Sequence, residues 1–318
     1  MKFTVALAAL TAAFLPCSGV LAVTPYSNNF EVDTTASWTL NSGLSDEAAS
    51  FFFDYATVGI PAAPSGPGAR GMKLQANQSG GLFSGFSVSP TGQSFTGNYT
   101  VRFDWWANVN GPFPLGGSGS TQLSTFGVGT IGTVAQWPGG VQDCIWFGAT
   151  GDGNSSSDWR AYSPTAPTRY NDTTPGIYAA GTAPTSTSAD DPYYAGFGDN
   201  AAPPAQTALF PQQTGNTLIG SAGLQWHQVE IAKIGATVSW ILDGLLIATV
   251  PLADDSAPGG NNIFFGHSNT NATSSTDVND AALLFTLIDN VRVVPEPTSA
   301  LLCCLAAFSA LRSRRRRS

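Results

Sequence analysis

Charged and metal-binding side chains are scarce in this 318-residue chain. Asp, Glu, Lys and Arg together make up 11% of the residues, and there are only two histidines, His227 and His267. Two histidines cannot form a histidine-rich metal site, so we expect both to lie on a strand surface or to be held by hydrogen bonds. A sustained helical period is also missing between the chain ends, which favours an all-β fold.

Cysteine is too rare for a disulfide framework. Cys17 lies near the N-terminus and Cys303 and Cys304 near the C-terminus, which leaves Cys144 alone in the middle of the chain. One cysteine cannot form an intramolecular bridge. Because Cys144 stands in the apolar run Asp143-Cys-Ile-Trp-Phe147, we expect a buried small hydrophobe and not a reactive thiol.

The N-terminus carries an export pattern. Met1-Lys2, the apolar run from Phe3 to Leu15 and the small-residue site Val20-Leu21-Ala22 are typical of a secretory signal peptide. Residues 1–22 are therefore predicted to form a signal helix that is removed, and the mature chain to begin near Val23.

The C-terminus carries a second targeting pattern. Val294-Pro295-Glu296-Pro297 precedes an uncharged segment, residues 298–311, and five terminal arginines. The prolines are expected to end the folded domain at Val293. As a helix the uncharged segment spans about 21 Å at ~1.5 Å per residue, shorter than a ~30 Å hydrocarbon core. Insertion as a short transmembrane helix then requires bilayer thinning and snorkelling arginines, which stay on the cytoplasmic side.

This order of motif, apolar segment and arginine cluster resembles the PEP-CTERM sorting signal of Gram-negative bacteria. The resemblance implies an exosortase-type sorting transpeptidase as partner, transient inner-membrane insertion, and a final place at the cell surface or in the extracellular matrix. The residues that carry it are Val294, Pro295, Glu296, Pro297, Arg314, Arg315, Arg316 and Arg317. An ordinary tail anchor without processing is the alternative.

The chain between these signals is strongly acidic. Setting aside Lys2, Glu296 and the five tail arginines leaves 7 basic and 20 acidic residues, a net charge of −13. Such a surface argues against nucleic acid or anionic lipid as partners. The intervening length could form one large sandwich or two domains, and nothing in it resembles a linker, so we predict one β-sandwich over residues 23–293.

The clearest early strand is predicted from Tyr99 to Val109. One face of this strand is apolar and carries Tyr99, Val101, Phe103, Trp105, Ala107 and Val109. The other carries Arg102, Asp104, Trp106 and Asn108. Trp106 is therefore an aromatic residue on a polar face.

Residues 150–217 form a long irregular segment rich in Gly, Pro, Asn, Asp and Thr with scattered aromatic residues. Such segments inside a compact domain are usually functional or disordered. Flat rings cover the apolar face of a sugar while amides and carboxylates bond its hydroxyls. The predicted carbohydrate contacts are Trp106, Trp159, Tyr162, Tyr193 and Tyr194. The alternative for each ring is that it pins a loop onto the sandwich.

The stretch from Asp152 to Asp158 spaces oxygen-bearing side chains at alternate positions, as a calcium loop would. Ser157 and Ser163 stand where an EF-hand requires a glycine at position six and an acid at position twelve. A solvated turn is therefore favoured over a calcium loop.

Three later segments predict an antiparallel meander: residues 226–233, 237–242 and 245–250. The turns fall at Gly235 and at Asp243-Gly244, a pair that accepts the positive φ of a tight hairpin. The order Trp-His-x-Val, glycine turn, alternating strand, Asp-Gly and apolar return strand resembles laminin-G-like domains of the concanavalin A-like lectin/glucanase jelly roll. The direct resemblance covers roughly 25 residues and implies a jelly-roll β-sandwich.

The last predicted strand contains an acidic residue among apolar ones. Five residues at period two are expected to face the core: Phe285, Leu287, Asp289, Val291 and Val293. A carboxylate in a core must be paired, hydrogen-bonded or bound to a metal. In the sandwiches that this chain resembles, an aspartate at this position helps to bind a structural Ca²⁺, which implies Asp289, Glu31 and Asn29 as ligands. Backbone N–H donors to Asp289 are the alternative.

The sequence offers little for catalysis. Glucanases of the resembled fold carry Glu-x-Asp-x-x-Glu on one strand, which sets two carboxylates about 5 Å apart. None of the four glutamates (Glu31, Glu47, Glu230 and Glu296) lies in such a motif. We therefore predict a non-catalytic secreted or cell-surface protein that binds, or is embedded in, exopolysaccharide of a biofilm matrix, with structural calcium as its only cofactor. The alternatives are a structural or adhesive surface protein without a glycan site and a diverged polysaccharide hydrolase or lyase.

Overall fold

The computed structural model describes residues 26–42, 46–76, 84–114, 122–252, 257–269 and 278–296. The predicted signal peptide, Pro297, the predicted helix 298–311 and the arginine cluster lie outside these ranges. Among the described residues, no helix is both long and apolar enough to span a membrane.

The described residues form two antiparallel sheets and very little helix. In chain order the strands are β1 (Tyr26–Asn28), β2 (Trp38–Asn41), β3 (Glu47–Asp54), β4 (Arg70–Ala76), β5 (Ser84–Pro90), β6 (Tyr99–Asn108), β7 (Gln122–Thr130), β8 (Ile145–Thr150), β9 (Trp159–Tyr162), β10 (Trp226–Ile234), β11 (Thr237–Leu242), β12 (Leu245–Pro251), β13 (Asn262–Asn269) and β14 (Phe285–Pro295). The helices are α1 (Pro204–Leu209) and α2 (Asp280–Leu283), with 3-10 turns at Thr35–Ser37, Tyr55–Val58 and Pro192–Tyr194.

Two sheets stack to form a sandwich. Sheet I has the order β12-β11-β10-β6-β14-β4-β3, with β1 also paired to β14, and sheet II has the order β2-β5-β13-β7-β8-β9. The prediction of an all-β two-sheet sandwich is confirmed. Because β6 pairs with β10 and β14, and β4 also pairs with β14, the fold depends on long-range pairing between the first and last thirds of the chain.

The core between the sheets is rich in aromatic side chains. The ring centroid of Phe103 lies 5.2 Å from that of Phe126 and 5.0 Å from that of Phe265, and Phe126 lies 5.4 Å from Trp240. These are edge-to-face contacts, which stabilise beyond the area they bury. Five of the six residues predicted for the apolar face of β6, from Tyr99 to Ala107, belong to this core.

The predicted meander is confirmed as β10, β11 and β12. Asp243 and Gly244 occupy its second turn with φ of 50° and 84°, the left-handed values that an Asp-Gly hairpin tolerates. The turn also fixes a side chain, because Asp243 Oδ1 accepts a hydrogen bond from the Gln228 N–H at 2.7 Å.

A β-bulge in β14 overturns the predicted face of the last strand. Pairing with β6 shifts register between Asp289 and Arg292, and Asn290 has a φ of 53°. The extra residue reverses the alternation. Ile288, Val291 and Val293 therefore join the core between the sheets, whereas Phe285 and Leu287 belong to a separate cluster. The prediction that all five period-two residues share one face is wrong, although Asp289 is buried as expected.

The last strand also continues beyond the predicted domain end. Val294 and Pro295 pair with Thr100 and Tyr99 of β6. The Glu296 N–H donates to Asn98 O at 3.1 Å, and Thr100 Oγ1 donates to Glu296 Oε1 at 2.6 Å. A proline is tolerated in this position because it ends the strand.

A second layer covers part of the outer face of sheet I. Residues from the segments 55–69 and 202–226 pack there on Trp106, Phe285 and Leu287. Trp106 lies on the predicted face of β6 but is only 2% exposed. Cys144 is buried in a third cluster with Trp146, Tyr162 and Phe264, which confirms its reading as a small hydrophobe; burial and the charge of Asp143 hold the pKa of its thiol well above the usual value.

Candidate functional site

An open groove lies on sheet I beside the bulge of β14. It comprises two pockets of about 460 and 220 Å³ that share Asn290 and Arg292. We call it the β14 groove. The bulge shapes it, because the extra residue places the Asn290 side chain between the two pockets and turns Arg292 outward.

The larger pocket is lined mainly by amides and hydroxyls around one aromatic ring. Its wall includes Tyr26, Asn28, Asn29, Thr34 and Ser37. Asn28 is held by two hydrogen bonds, from Nδ2 to Thr34 Oγ1 at 3.0 Å and from the Phe30 N–H to Oδ1 at 2.8 Å. Burial raises the pKa of Tyr26 to about 12 despite its hydrogen bond with Asn28, so its hydroxyl stays neutral and can donate.

The smaller pocket carries two arginines and one carboxylate. Arg102 Nη2 lies 3.1 Å from Glu230 Oε2, so this exposed pair is neutral as a unit. Arg292 Nη2 donates to Ser65 O at 3.2 Å, and Gln228 Nε2 donates to Ser65 Oγ at 3.1 Å. Among the described residues that line either pocket, Glu230 is the only acidic one.

Buried acidic residues lie beneath the groove. Asp104 is fully buried, and its carboxylate accepts hydrogen bonds from the Ser65 N–H (3.0 Å), Ser65 Oγ (2.6 Å) and Asn290 Nδ2 (2.8 Å). These donors join β6, the 55–69 segment and the bulge. Asp104 thus fixes the Asn290 side chain that both pockets share.

Asp289 lies next to this network and is 1% exposed. Its carboxylate accepts hydrogen bonds from the Asn290 N–H at 2.6 Å and from Tyr55 Oη at 3.1 Å. Burial raises the pKa of Asp289 to about 7; these two hydrogen bonds lower it, and the charges of Asp104 and Glu31 raise it further. The alternative prediction, backbone N–H donors to Asp289, is therefore confirmed in part: one donor is the Asn290 N–H, and the other is the Tyr55 hydroxyl.

The predicted calcium ligands are brought together only in part. Glu31 Oε1 accepts from the Arg70 N–H at 3.1 Å, and its carboxylate lies so close to Gly68 that a Cβ there would stand 1.9 Å away. The charge of Glu31 raises the pKa of Asp289, but the hydrogen bonds of the two carboxylates go to different partners, the Arg70 N–H for Glu31 and Tyr55 Oη with the Asn290 N–H for Asp289. Asn29 instead lies exposed at the groove, where its Oδ1 accepts from the Glu31 N–H at 3.4 Å. Within the described ranges, no three His, Cys, Asp or Glu side chains form a metal-binding group.

Four of the five predicted carbohydrate contacts are buried in the protein. Trp106, Trp159, Tyr162 and Tyr194 are at most 2% exposed. Trp159 stacks on Tyr194 with ring centroids 4.9 Å apart, and Tyr162 stacks on Trp146 at 3.5 Å. The half-buried Tyr193 donates its hydroxyl to Leu246 O at 2.7 Å. Trp159, Tyr162 and Tyr194 pack the 150–217 segment onto the sandwich, and Trp106 packs under the 55–69 and 202–226 segments. The prediction that these four rings face a sugar is corrected, because they are buried.

The Asp152–Asp158 stretch is a solvated turn only in its middle, where Asn154 and Ser156 are exposed. Asp152 is 2% and Asp158 1% exposed. Burial raises the pKa of Asp152 to about 7, and the nearby charge of Asp158 adds to the shift. Burial also raises the pKa of Asp158, although hydrogen bonds from Thr150, Ala189 and Ser155 oppose that shift.

Both histidines are held by hydrogen bonds, as predicted. His267 Nδ1 lies 2.9 Å from Thr286 Oγ1, which lies 2.6 Å from Ser124 Oγ. Burial lowers the pKa of His267 to about 3. Because all three side chains are sealed in the core, they cannot act on a substrate. His227 is equally buried, 2.7 Å from Asp243 Oδ2 and 3.0 Å from Ala222 O.

Sequence reasoning missed Tyr26, Asn290 and Arg292 as groove residues. Asn290 carried a usable signal, because Ile-Asp-Asn-Val places a residue tolerant of positive φ inside a strand. Tyr26 and Arg292 carried none, since only the pairing of β1 with β14 brings them together.

The chain is similar to solved β-sandwich structures at very low sequence identity. A Bacillus subtilis protein of unknown function with a galectin-like fold is 11% identical, with a TM-score of 0.44 over 85% of this chain and 94% of the other. The carbohydrate recognition domain of Emp47p is 8% identical, with a TM-score of 0.44 over 88% and 100%. A Bacillus licheniformis β-glucanase is 10% identical, with a TM-score of 0.39 over 86% and 98%. No protein-family model matches the sequence, and no curated protein matches it.

Proposed function

We propose that this chain is a non-catalytic polysaccharide-binding protein of the concanavalin A-like jelly-roll type, and that the β14 groove holds the glycan. The observation that supports this most is the lining of the larger pocket, where amides and hydroxyls surround the half-buried Tyr26 ring. Amides and hydroxyls bond sugar hydroxyls, and an aromatic ring covers the apolar face of a pyranose.

The size and order of the groove suit a short stretch of glycan. A pocket of about 460 Å³ falls within the roughly 300–1,000 Å³ typical of small-molecule sites. Asn28 and Asn290 are already held in place by hydrogen bonds. Side chains that are fixed before binding lose less conformational entropy when a ligand arrives.

The carboxylates argue for binding without hydrolysis. Glycoside hydrolysis needs two facing carboxylates about 5–9.5 Å apart. Glu230 is the only acid lining the described groove and is paired with Arg102. Asp104 and Asp289 are buried beneath the 55–69 segment and hydrogen-bonded there.

The test is a polysaccharide screen on the full chain that follows retention and release of reducing ends together. We expect retention without product. Asn29→Ala and Arg292→Ala should each weaken retention about tenfold, a loss of ~1.4 kcal/mol. Asn171→Ala, an exposed asparagine outside the groove, is the matched control. Release of reducing ends would show an enzyme, and unchanged retention in both groove variants would exclude the groove as the site.

A structural or adhesive surface protein without a glycan site is the second candidate. It is favoured by the burial of Trp106, Trp159, Tyr162 and Tyr194, because the aromatic residues best suited to sugars serve packing. Absence of retention on every glycan, including the matrix of the producing cells, together with self-association of the chain, would favour this candidate.

Export, sorting and structural calcium belong to the same proposal. The signal peptide and the PEP-CTERM-like tail support delivery to the cell surface through an exosortase-type enzyme. Replacing Arg314 to Arg317 by serine should leave unprocessed protein in the inner-membrane fraction. Calcium at Glu31 and Asp289 is supported by the burial of the Asp289 carboxylate, and a chelator should then lower the melting temperature of wild type more than that of Asp289→Asn.

A further inference from the structure

We infer that the loop from Asp152 to Asp158 binds a divalent cation, calcium by its ligand chemistry, at a site separate from Glu31 and Asp289. This inference does not depend on glycan binding. It starts from an unpaired atom: among the described residues, Asp152 Oδ2 is buried and has no hydrogen-bond partner. The other oxygen, Oδ1, accepts a long hydrogen bond of 3.5 Å from the Asn154 N–H. A buried carboxylate left in this state needs a proton or a cation.

Asp158 supplies a second carboxylate that is already held in place. Its Oδ1 accepts hydrogen bonds from Thr150 Oγ1 and from the Ser155 N–H at 3.1 Å, and its Oδ2 accepts from the Ala189 N–H at 2.9 Å. These three donors leave about one lone-pair direction free, since an ionised carboxylate offers roughly four. Such a carboxylate can bind a metal without losing its existing partners.

Arg160, a cationic side chain beside the loop, is engaged elsewhere. Arg160 donates from Nε to Ser157 O at 2.5 Å and from Nη2 to Ser155 Oγ at 3.2 Å. The described ion pairs are Arg70–Asp54, Arg102–Glu230 and His227–Asp243, so neither carboxylate of the loop is in one. The charge of Arg160 lowers the pKa of Asp158, but its described hydrogen bonds go to neither aspartate.

The two ends of the loop are buried by packing, whereas Asn154 and Ser156 in its middle are exposed. Gly153 has a φ of 76°, and a Cβ there would stand 2.9 Å from Ser221 Cβ and 3.2 Å from Ala189 Cβ. The side chains of the loop from Asp152 to Asp158 that could bind a cation offer oxygen atoms from carboxylates, hydroxyls and an amide. Oxygen-only ligands with two carboxylates favour Ca²⁺ over metals that prefer nitrogen or sulfur.

The test measures bound calcium per full-length chain by equilibrium dialysis with Ca²⁺ alone. Asp152→Asn keeps the shape of the side chain and removes its charge. We expect this variant to bind one calcium fewer than wild type, whatever the wild-type number. Asp190→Asn, which removes an exposed charge from the covering segment, is the matched control and should bind the wild-type number. Asp289→Asn separates the two sites, because the calcium lost in Asp152→Asn should persist in it.

Thermal unfolding supplies a second readout. With calcium at 100 times its Kd, we expect the Asp152 site to add about 5–11 °C to the melting temperature of Asp289→Asn, and Asp152→Asn to cancel that shift. In chelator, Asp152→Asn should be at least as stable as wild type, because it no longer buries an unpaired charge. Equal calcium binding in Asp152→Asn and wild type would overturn the inference. Unfolding of Asp152→Asn in chelator would overturn it too, since the carboxylate would then be required without the ion.

Discussion

The pairing of His227 with Asp243 gives the sharpest stability test. Both ring nitrogens of His227 face atoms that only accept hydrogen bonds: Asp243 Oδ2 at 2.7 Å and Ala222 O at 3.0 Å. The buried ring is therefore held between a carboxylate and a backbone carbonyl, each of which accepts from a ring N–H. Asp243→Asn keeps an acceptor oxygen but removes the charge of the carboxylate.

The size of the effect follows from the burial of the two partners. Removing one partner of a buried ion pair costs about 3–5 kcal/mol. The Asp243 side chain is 35% exposed, so solvent screens part of the pair, and we expect about 2 kcal/mol. For a chain of this size that corresponds to about 4–8 °C in melting temperature.

The assay is a double-mutant cycle of Asp243→Asn and His227→Gln, followed by thermal and denaturant unfolding. Because each single variant breaks the same contact, the double variant should lose less stability than the sum of the two single variants. The difference, the coupling free energy, should be at least about 1 kcal/mol. A coupling free energy near zero would refute the reasoning, because the two side chains would then stabilise the fold independently.

The pH dependence of the unfolding free energy tests the same pair. Burial alone would raise the pKa of Asp243, but the hydrogen bond and charge of His227 and the Gln228 N–H hold it below its usual value. A depressed carboxyl pKa contributes stability that is present above the unfolded pKa of about 3.9 and is lost as pH falls through the folded value. The deficit of Asp243→Asn should therefore be full at pH 7 and shrink below about pH 4.

Three further outcomes are expected. In chelator, wild type should lose stability as pH rises from about 4 to 7, because the folded chain keeps the protons of Asp289 and Asp152 up to a pKa of about 7; Asp289 accounts for at most ~4 kcal/mol of that loss, so Asp289→Asn should reduce the slope in denaturant titrations and leave the part due to Asp152. Asn290→Ala should be about 1 kcal/mol less stable than Asn290→Gly, because φ at this bulge is 53°; equal stabilities would mean that the bulge relaxes. Gly127→Ala should cost about 1–3 kcal/mol, because a Cβ there would lie 2.4 Å from Trp146 Cβ, whereas Gly196→Ala, with no heavy atom within 4 Å, should be neutral in the same melts.

Local patterns accounted for the parts of the fold that depend on neighbours in sequence. The alternation of β6 placed Phe103 and Trp105 in the core, and Asp243-Gly244 placed the hairpin turn. Burial of Cys144 followed from the apolar run around it. Each depends on strand periodicity or on turn geometry, which a few adjacent residues determine.

The candidate site depended on contacts that no local pattern contains. One extra residue at Asn290 reversed the alternation of β14, so the predicted face of Asp289 was wrong although its burial was right. The sequence placed Trp106 on a polar face and Asp152 and Asp158 in a solvated turn. All three side chains are buried, because distant segments cover them.

The sequence by itself therefore determined the class of fold and the meander, since strand period and turn chemistry depend on consecutive residues, and the two targeting patterns stay predictions. Only the tertiary structure decided which surfaces stay open. The β14 groove needs Tyr26 and Arg292, 266 positions apart, on paired strands. Whether a polar face meets water depends on what packs over it, and that is settled by long-range burial of apolar area.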